Sequence, residues 1–531
     1  MDTITQLLRT QAHARPDDPA LIYADQPMTY LELERLANKL AGGLHRLGVR
    51  GGDRVALWLP NTPAYIALNL ACARLGAIAV AVNTRFRSVE VGDIVGRSGA
   101  KVMAMWPGFR SIDFLEILTQ IDPHQLAALE TIVLYDEGTA TNVTPRAIEH
   151  CQRLRFDELA SGQPHATDAA TPNAGCNIFT TSGTTKAPKF VLHDQASVTR
   201  HARVMAHELG LNASRGAVLQ AIPLCGVFGF CQATAALSAG RPMIMMNAFE
   251  PERAVQLMEK YGVTHFNGTD DMIDPMLDAS PHEIAFPNVA YAGFASFAAS
   301  PDIIIDKAER RGLTLAGLYG MSEVQAFFAR QPLEAARERR QLGGGVPLGP
   351  EAAVRVRNPD TGELLGVGES GELELCGPSL MREYFENEEA TAETLTDDGY
   401  LKSGDLGYLT DDGGFVFQTR IGDVLRLGGF LVSPMEIESH LNLDPRITGA
   451  QVVAVATERG PRPVAFVTLQ AGAALDESAL REHCMSGLAK YKTPVRIFAL
   501  EEFPTTKSAN ATKIQRNKLR EMAEESLRSD G

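Results

Sequence analysis

The sequence predicts an α/β fold: a large N-terminal domain of several subdomains, with parallel-containing sheets covered by helices and a β-rich subdomain, and a small α+β C-terminal domain. Three observations predict it. Short apolar runs alternate with helical stretches from Pro16 onward, the texture changes near Gly349 to short strands between turn clusters, and a compact mixed pattern follows Gly422. Residues 54–59 form a strand closed by Pro60-Asn61, a helix follows to about Leu75, and residues 77–82 form the next strand. That βαβ pattern implies parallel sheet buried under helices. It recurs as a strand at 243–246, a helix at 251–261 and a strand at 263–266.

From about Gly349, the clusters Asn358-Pro359-Asp360-Thr361-Gly362 and Thr410-Asp411-Asp412-Gly413-Gly414 punctuate a β-rich stretch. The tail reads as a helix near 435–441, strands at 451–456 and 464–469, and a helix from Glu477. The main boundary falls near residue 421, giving domains 1–420 (with 349–420 β-rich) and 421–531.

With 531 residues, 45% hydrophobic and 22% charged, the chain has the composition of a globular protein too long for one ordinary core. A net charge of -15 without a Lys/Arg block argues against nucleic acid or anionic lipid as main partner. A few local cations and backbone amides still suffice for an anionic small ligand. Seven scattered cysteines with no CxxC argue against a disulfide framework or zinc site. The N-terminus lacks the pattern of a secretory signal, and the most apolar stretch, 64–82, is broken by Asn69, Arg74 and Gly76. A reduced, cytoplasmic enzyme without a membrane span is expected.

The most informative segment is Ile178-Phe179-Thr180-Thr181-Ser182-Gly183-Thr184-Thr185-Lys186-Ala187-Pro188-Lys189. An apolar strand enters a turn dense in hydroxyls, whose amides can form an anion-binding nest and whose lysines add charge. It is not a Walker A loop, because no GxxxxGK[ST] occurs.

This loop resembles the T-S-G-T-T-G-x-P-K-G signature of the adenylate-forming superfamily of acyl-CoA synthetases, luciferases and peptide-synthetase adenylation domains. It departs at Lys186 and Phe190, where that family usually has Gly. Further resemblances follow in the family's order. They are Gly52-Asp53-Arg54-Val55-Ala56, Tyr319-Gly320-Met321-Ser322-Glu323, Ser403-Gly404-Asp405, Arg420 with Asp423, Gly428-Gly429, Pro434 to Glu438, and Lys513-Ile514-Gln515-Arg516. Together they span essentially the whole chain.

The resemblance implies an AMP-forming acid–thiol ligase using ATP, Mg²⁺ and coenzyme A. It implies Glu323 and Thr184 on the metal, Ser322 on the α-phosphate, and Thr181, Ser182, Gly183, Thr184, Thr185 and Lys189 around the β- and γ-phosphates. Tyr319 and Gly320, with Gly293, Phe294 and Ala295, would lie along the nucleotide, Asp405 and Arg420 on its ribose. Lys513 would bridge carboxylate and α-phosphate, Gly428 and Gly429 would flank the coenzyme A route, and a mobile C-terminal domain would pivot at Gly422. The acyl pocket would draw on Gly226, Val227, Phe228 and Met321, where Cys225-Gly226 stands for the family's Phe-His. That lining is apolar and suits an aliphatic or aryl carboxylic acid.

Taken singly, most of these residues have plainer readings. Glu323 could be a solvated acid at a helix start, Asp405 a turn residue, Arg420 a junction ion pair, and Lys513 one charge in a basic tail. Only their order lifts them. His193, His201, His207 and His265 have no ligand spacing and read as surface or core residues. Thr269-Asp270-Asp271 reads as a helix N-cap followed by first-turn acids. Three alternatives stay open: a stand-alone enzyme loading a carrier-protein pantetheine, an enzyme of one half-reaction, and a non-catalytic nucleotide binder. A homodimer is also left open.

Overall fold

The computed structural model describes residues 2–136, 149–181, 188–213, 215–295, 301–427, 430–457, 461–488, 490–507 and 512–529. An eight-stranded sheet is ordered Glu383–Tyr384, Phe190–Asp194, Gly175–Thr180, Ile78–Ala81, Arg54–Trp58, Val102–Met105, Thr131–Leu134, Gln152–Arg155. It is parallel from Gly175–Thr180 to its far edge and antiparallel at Phe190–Asp194. Its central strands are apolar throughout because both faces are covered: Val55, Ala56, Leu57 and Trp58 are all fully buried.

The connecting helix Pro63–Leu75 shows how local sequence sets an element. Thr62 caps it by accepting from the Tyr65 amide, Pro63 occupies the first turn, and Gly76 ends it in the left-handed region at φ 67. The segment 64–82 is therefore a buried helix running into a strand, as expected.

A second sheet has fourteen strands. Its parallel part comprises Pro19–Tyr23, Met243–Met245, Ala217–Gln220, Val263–Thr269, Tyr291–Ala295 and Leu315–Tyr319. The helix Val227–Ala239 is buried along almost its whole length. Helices Pro251–Lys260 and Asp270–Ala279 share a second core with Phe266, Ala292 and Phe294. Thr269 stands at the N-cap of Asp270–Ala279, but its hydroxyl bonds to the Asp271 carboxylate and caps no amide.

The β-rich stretch contains Ala353–Arg357, Gly371–Cys376, Leu401–Leu409 and Phe415–Arg420 around its own core of Tyr319, Phe328, Leu373, Leu401 and Phe415. It is not a separate sheet. Strand Gly344–Pro347 pairs with both Ala329–Arg330 and Phe415–Arg420, so the ladder runs unbroken from the parallel sheet into the β-rich part. The C-terminal region holds the hairpin Leu425–Leu427 with Phe430–Val432 and the sheet Ile447–Val455, Arg462–Leu469, Arg496–Ala499. Helices Pro434–Leu441, Glu477–Gly487 and Arg516–Ser529 complete it. Among the described residues no helix is long and apolar enough to cross a membrane.

Candidate active site

The site forms where Leu315–Tyr319 meets the β-rich strands. Asp405 and Arg420 are direct partners across two antiparallel strands, and Arg420 Nε lies 3.0 Å from Asp405 Oδ1. Tyr319 donates its hydroxyl to Asp405 Oδ2 at 2.6 Å. Its ring is set edge-on to Phe415 at 5.0 Å. Gly404, left-handed at φ 69, turns the chain so that the Asp405 amide donates to Ser403 Oγ at 3.0 Å. Asp405 is 2% exposed. Burial pushes its pKa up to about 6, against the pull of Arg420 and Tyr319. The pair with Arg420 is close but not aligned as a hydrogen bond, and Oδ1 has no such partner among the described residues. A buried acceptor with one uncommitted oxygen beside a cation is what a ribose diol requires.

Around Glu323 the chain is tightly folded. Gln325 and Ala326 are both left-handed without being glycine, at φ 57 and φ 59. The reversal returns the Ala326 amide to the Met321 carbonyl at 2.8 Å. It also brings the Ala326 carbonyl against Gly320, where a Cβ would collide with it. The glycine after Tyr319 therefore has a packing reason of its own.

Glu323 itself is buried, not solvated, and accepts from the Tyr384 hydroxyl at 2.8 Å. The Lys189 ammonium lies 4.3 Å from the centre of the same tyrosine ring. Tyr384 thus links Lys189 to the carboxylate, and sequence reasoning missed it. His193, which the sequence marks as surface or core, is a core residue. It is fully buried, burial lowers its pKa to about 4, and its neutral Nε2–H donates to the Ser322 carbonyl at 2.8 Å. Its role is to fix the backbone beside Glu323.

Thr181 and Lys189 flank the loop expected to hold phosphate: the Thr181 amide donates to the Lys189 carbonyl at 2.9 Å, and the Lys189 amide to Thr181 Oγ1 at 3.1 Å. Ser182, Gly183, Thr184, Thr185 and Lys186, like Gly428 and Gly429, lie outside the described residues. Lys513 sits on strand Thr512–Ile514, paired in register with Thr506. Three residues on, Arg516 grips both Glu438 oxygens at 2.7 and 3.1 Å, which ties the Lys513 segment to helix Pro434–Leu441. Gly422 lies in the short turn Ile421–Asp423, exposed, and a Cβ there would meet nothing within 4 Å.

On the other side, a small cavity of about 30 Å³ is lined by Ala81, Asn83, Phe86, Phe179, Thr180, Cys225, Gly226, Val227 and Ser322. Two residues expected in the acyl pocket, Gly226 and Val227, are on it. Phe228 and Met321 are not: Phe228 is packed in the main core, and Met321 against the core of the β-rich part. Phe294 likewise turns away. Strand alternation sends Gly293 and Ala295 toward the helix Val227–Ala239 face and sinks Phe294, 1% exposed, into the outer core with Phe266 and Leu315. Its side chain is therefore no part of a nucleotide or acyl surface.

The sequence matches the family model for AMP-binding enzymes over residues 8–385 and the model for the AMP-binding enzyme C-terminal domain over residues 436–510. It is 29% identical to a 2-succinylbenzoate–CoA ligase of Geobacillus kaustophilus, the alignment covering 98% of each chain. It is 27% identical to 4-coumarate–CoA ligase 1 of Narcissus pseudonarcissus, over 96% of this chain and 91% of that one. The fold is similar to the solved o-succinylbenzoate CoA synthetase of Bacillus subtilis in complex with its acyl-adenylate. There the TM-score is 0.80 and the identity 25%, with 97% of both chains covered.

Proposed function

The chain belongs to the AMP-binding enzyme family, and on that premise we propose that it is an AMP-forming acid–thiol ligase that makes an acyl-CoA from a mainly apolar aliphatic or aryl acid. The observation that carries this reading is that Asp405 lies near enough to Glu323 to feel its charge, while Glu323 and Lys189 are joined through Tyr384.

A carboxylate resists attack by a thiol because oxide is a poor leaving group. In the proposed first step a carboxylate oxygen attacks the α-phosphorus of ATP, forming acyl-adenylate and expelling pyrophosphate. In the second the thiol sulfur attacks the acyl carbon, and AMP leaves with that oxygen. The first step brings two anions together, so fixed cations must lower its barrier. Thr181 and Lys189 would hold the phosphates, the uncommitted oxygen of Asp405 would accept from the ribose with Arg420 beside it, and Lys513 would bridge carboxylate and α-phosphate.

Among the described residues there is no cluster of three or more His, Cys, Asp or Glu able to hold a metal alone. Glu323 is a single buried carboxylate beside the phosphate loop, which fits Mg²⁺, an ion usually held by one or two carboxylates plus substrate phosphates. When bound, Mg²⁺ supplies charge that offsets the phosphates. Thr184 would join it.

We take coenzyme A as the acceptor, residues 1–420 and 421–531 as the working domains, and the cytoplasm as the setting. The test is acid-dependent pyrophosphate release from ATP over a panel of acids, with coenzyme A, with a carrier protein, or with neither. Thioester formation with coenzyme A supports the proposal. Release only with a carrier protein, or adenylate that is never transferred, favours the carrier-loading or half-reaction reading.

A further inference from the structure

The strand that carries Asp405 is interrupted at that residue. Across the antiparallel pair Gly371–Cys376 and Leu401–Leu409, Lys402 stands opposite Glu374 and Leu406 opposite Glu372. Ser403, Gly404 and Asp405 therefore share the space opposite one residue, Leu373. Such a bulge bends its strand, re-aims a side chain and leaves backbone groups out of the ladder. Gly404 takes the left-handed conformation at φ 69, and a Cβ there would meet nothing within 4 Å. Backbone conformation, not crowding, is what favours glycine at this point.

Side chains supply the missing bonds. Ser403 Oγ donates to the Leu373 carbonyl at 2.6 Å and accepts from the Asp405 amide at 3.0 Å. The Gly404 amide donates to Glu372 Oε1 at 3.1 Å. A neutral acceptor could serve that amide, but Glu372 is a half-buried acid and brings charge with it. Burial raises its pKa, helped by repulsion from Glu374 and opposed by the Gly404 amide, Lys402 and Arg357. Asp405 is faced by groups of both signs. Burial disfavours its ionised form most, Arg420 and Tyr319 favour that form, and the charges of Glu323 and Glu372 oppose it.

Resting on the ligase reading, we propose that Glu372 is a positioning residue for the ribose acceptor: through the Gly404 amide it holds the bulge that aims Asp405 at the nucleotide. It acts through Asp405, not on the reacting atoms. Its charge has a second consequence. Because Asp405 feels that charge, Glu372 also raises the pH at which nucleotide binding is lost in acid.

The experiment is calorimetry of AMP binding by the full chain at pH 8 and pH 5.5, for the parent, Glu372→Gln and Glu372→Ala. Glutamine keeps an acceptor for the Gly404 amide, so affinity at pH 8 should stay within about threefold of the parent. Alanine removes the acceptor, and affinity should fall about tenfold or more. In the glutamine variant the lost negative charge lets Asp405 stay ionised further into acid. Between pH 8 and pH 5.5 the parent should therefore lose about two- to threefold more affinity than Glu372→Gln. Protonation of the AMP phosphate is common to both proteins and cancels from that ratio. A residue that only braces the fold would change the thermal midpoint and leave the ratio alone. The proposal is overturned if Glu372→Ala binds AMP like the parent at pH 8, if Glu372→Gln is as weak as the alanine variant, or if Glu372→Gln keeps the parent's pH dependence. Should the alanine variant not fold, the pH ratio decides alone. A parent protein that binds no adenine nucleotide at either pH overturns the ligase reading itself.

Discussion

The proposed nucleotide side and the proposed acyl side of the site are built on opposite plans. On the nucleotide side each group is already held by at least one neighbour: Asp405 by Tyr319 and Arg420 with its Oδ1 left to accept, Glu323 by Tyr384, and the Ser322 carbonyl by His193. On the acyl side a cavity of only about 30 Å³ is bordered by Phe86, Phe179 and Val227 and by Gly226, which has no side chain. Preorganised donors and acceptors suit chemistry common to every substrate. Side-chain size around a small cavity suits selection among substrates. Substitutions on the nucleotide side should therefore depress all acids alike, and substitutions on the acyl side should change their ranking.

The largest effect is expected at Lys513. Lys513→Ala should slow adenylate formation roughly 10²–10³-fold, the scale of losing one preorganised electrostatic donor. Transfer from a supplied acyl-adenylate to coenzyme A should change much less, because that step no longer joins two anions. Equal loss in both half-reactions would remove Lys513 from this role.

Asp405→Asn should weaken nucleotide binding by about 10- to 10²-fold, the worth of a charged acceptor, equally for every acid. The parent should show an acid limb near pH 6. Asp405 takes up its proton as pH falls through about 6 and loses acceptor strength toward ribose. The stability linkage has the opposite sign. The folded pKa of about 6 exceeds the ordinary 3.8, so the contribution of Asp405 to stability falls as pH rises from about 4 to 6 and is then flat. Calorimetry of AMP binding from pH 5 to 8 checks the first, and chemical denaturation at the same pH values the second. An acid limb that persists in Asp405→Asn would assign it to another group.

Gly422→Pro addresses the two halves together. A pivot there would let one active site serve two reactions by domain rotation. Nothing crowds Gly422 in this arrangement, so proline's fixed φ would bear on passage to a second one. The expected result is a single turnover of adenylate and pyrophosphate with transfer to coenzyme A reduced about tenfold or more. A parallel fall in both half-reactions, or in neither, removes the pivot.

Tyr384→Phe frees Glu323 of one hydrogen bond and should cost about 5- to 10-fold in kcat for all acids. Smallest for ATP is Gly226→His: the ATP KM should stay within about twofold while the ranking of acids shifts toward smaller ones. An unchanged ranking would take Gly226 off the acyl surface.

What could be read beforehand divides along physical lines. The parallel sheets were legible because consecutive elements stack by local rules, and Tyr319, Glu323 and Asp405 because each lies in a short contiguous motif. The unbroken fourteen-stranded ladder was not, because its link, Gly344–Pro347, is a four-residue strand beginning with two glycines and ending in proline, too short to show an alternating pattern. Tyr384 was missed for a related reason. Its partner Glu323 is 61 residues away in sequence, and the bond from His193, read as surface or core and found in the core, to the Ser322 carbonyl spans 129. A buried polar residue carries no local mark of its partner. Phe294 shows the converse error: a neighbour of Gly293 in sequence points to the opposite face of its strand.

Which bond of ATP the acid attacks can be read directly with an oxygen label. With both carboxylate oxygens of a turned-over acid labelled with ¹⁸O, one label per turnover should appear in the phosphate of AMP and none in pyrophosphate. Label in inorganic phosphate or pyrophosphate, or AMP formed without any label, would contradict the acyl-adenylate and with it this account of the site.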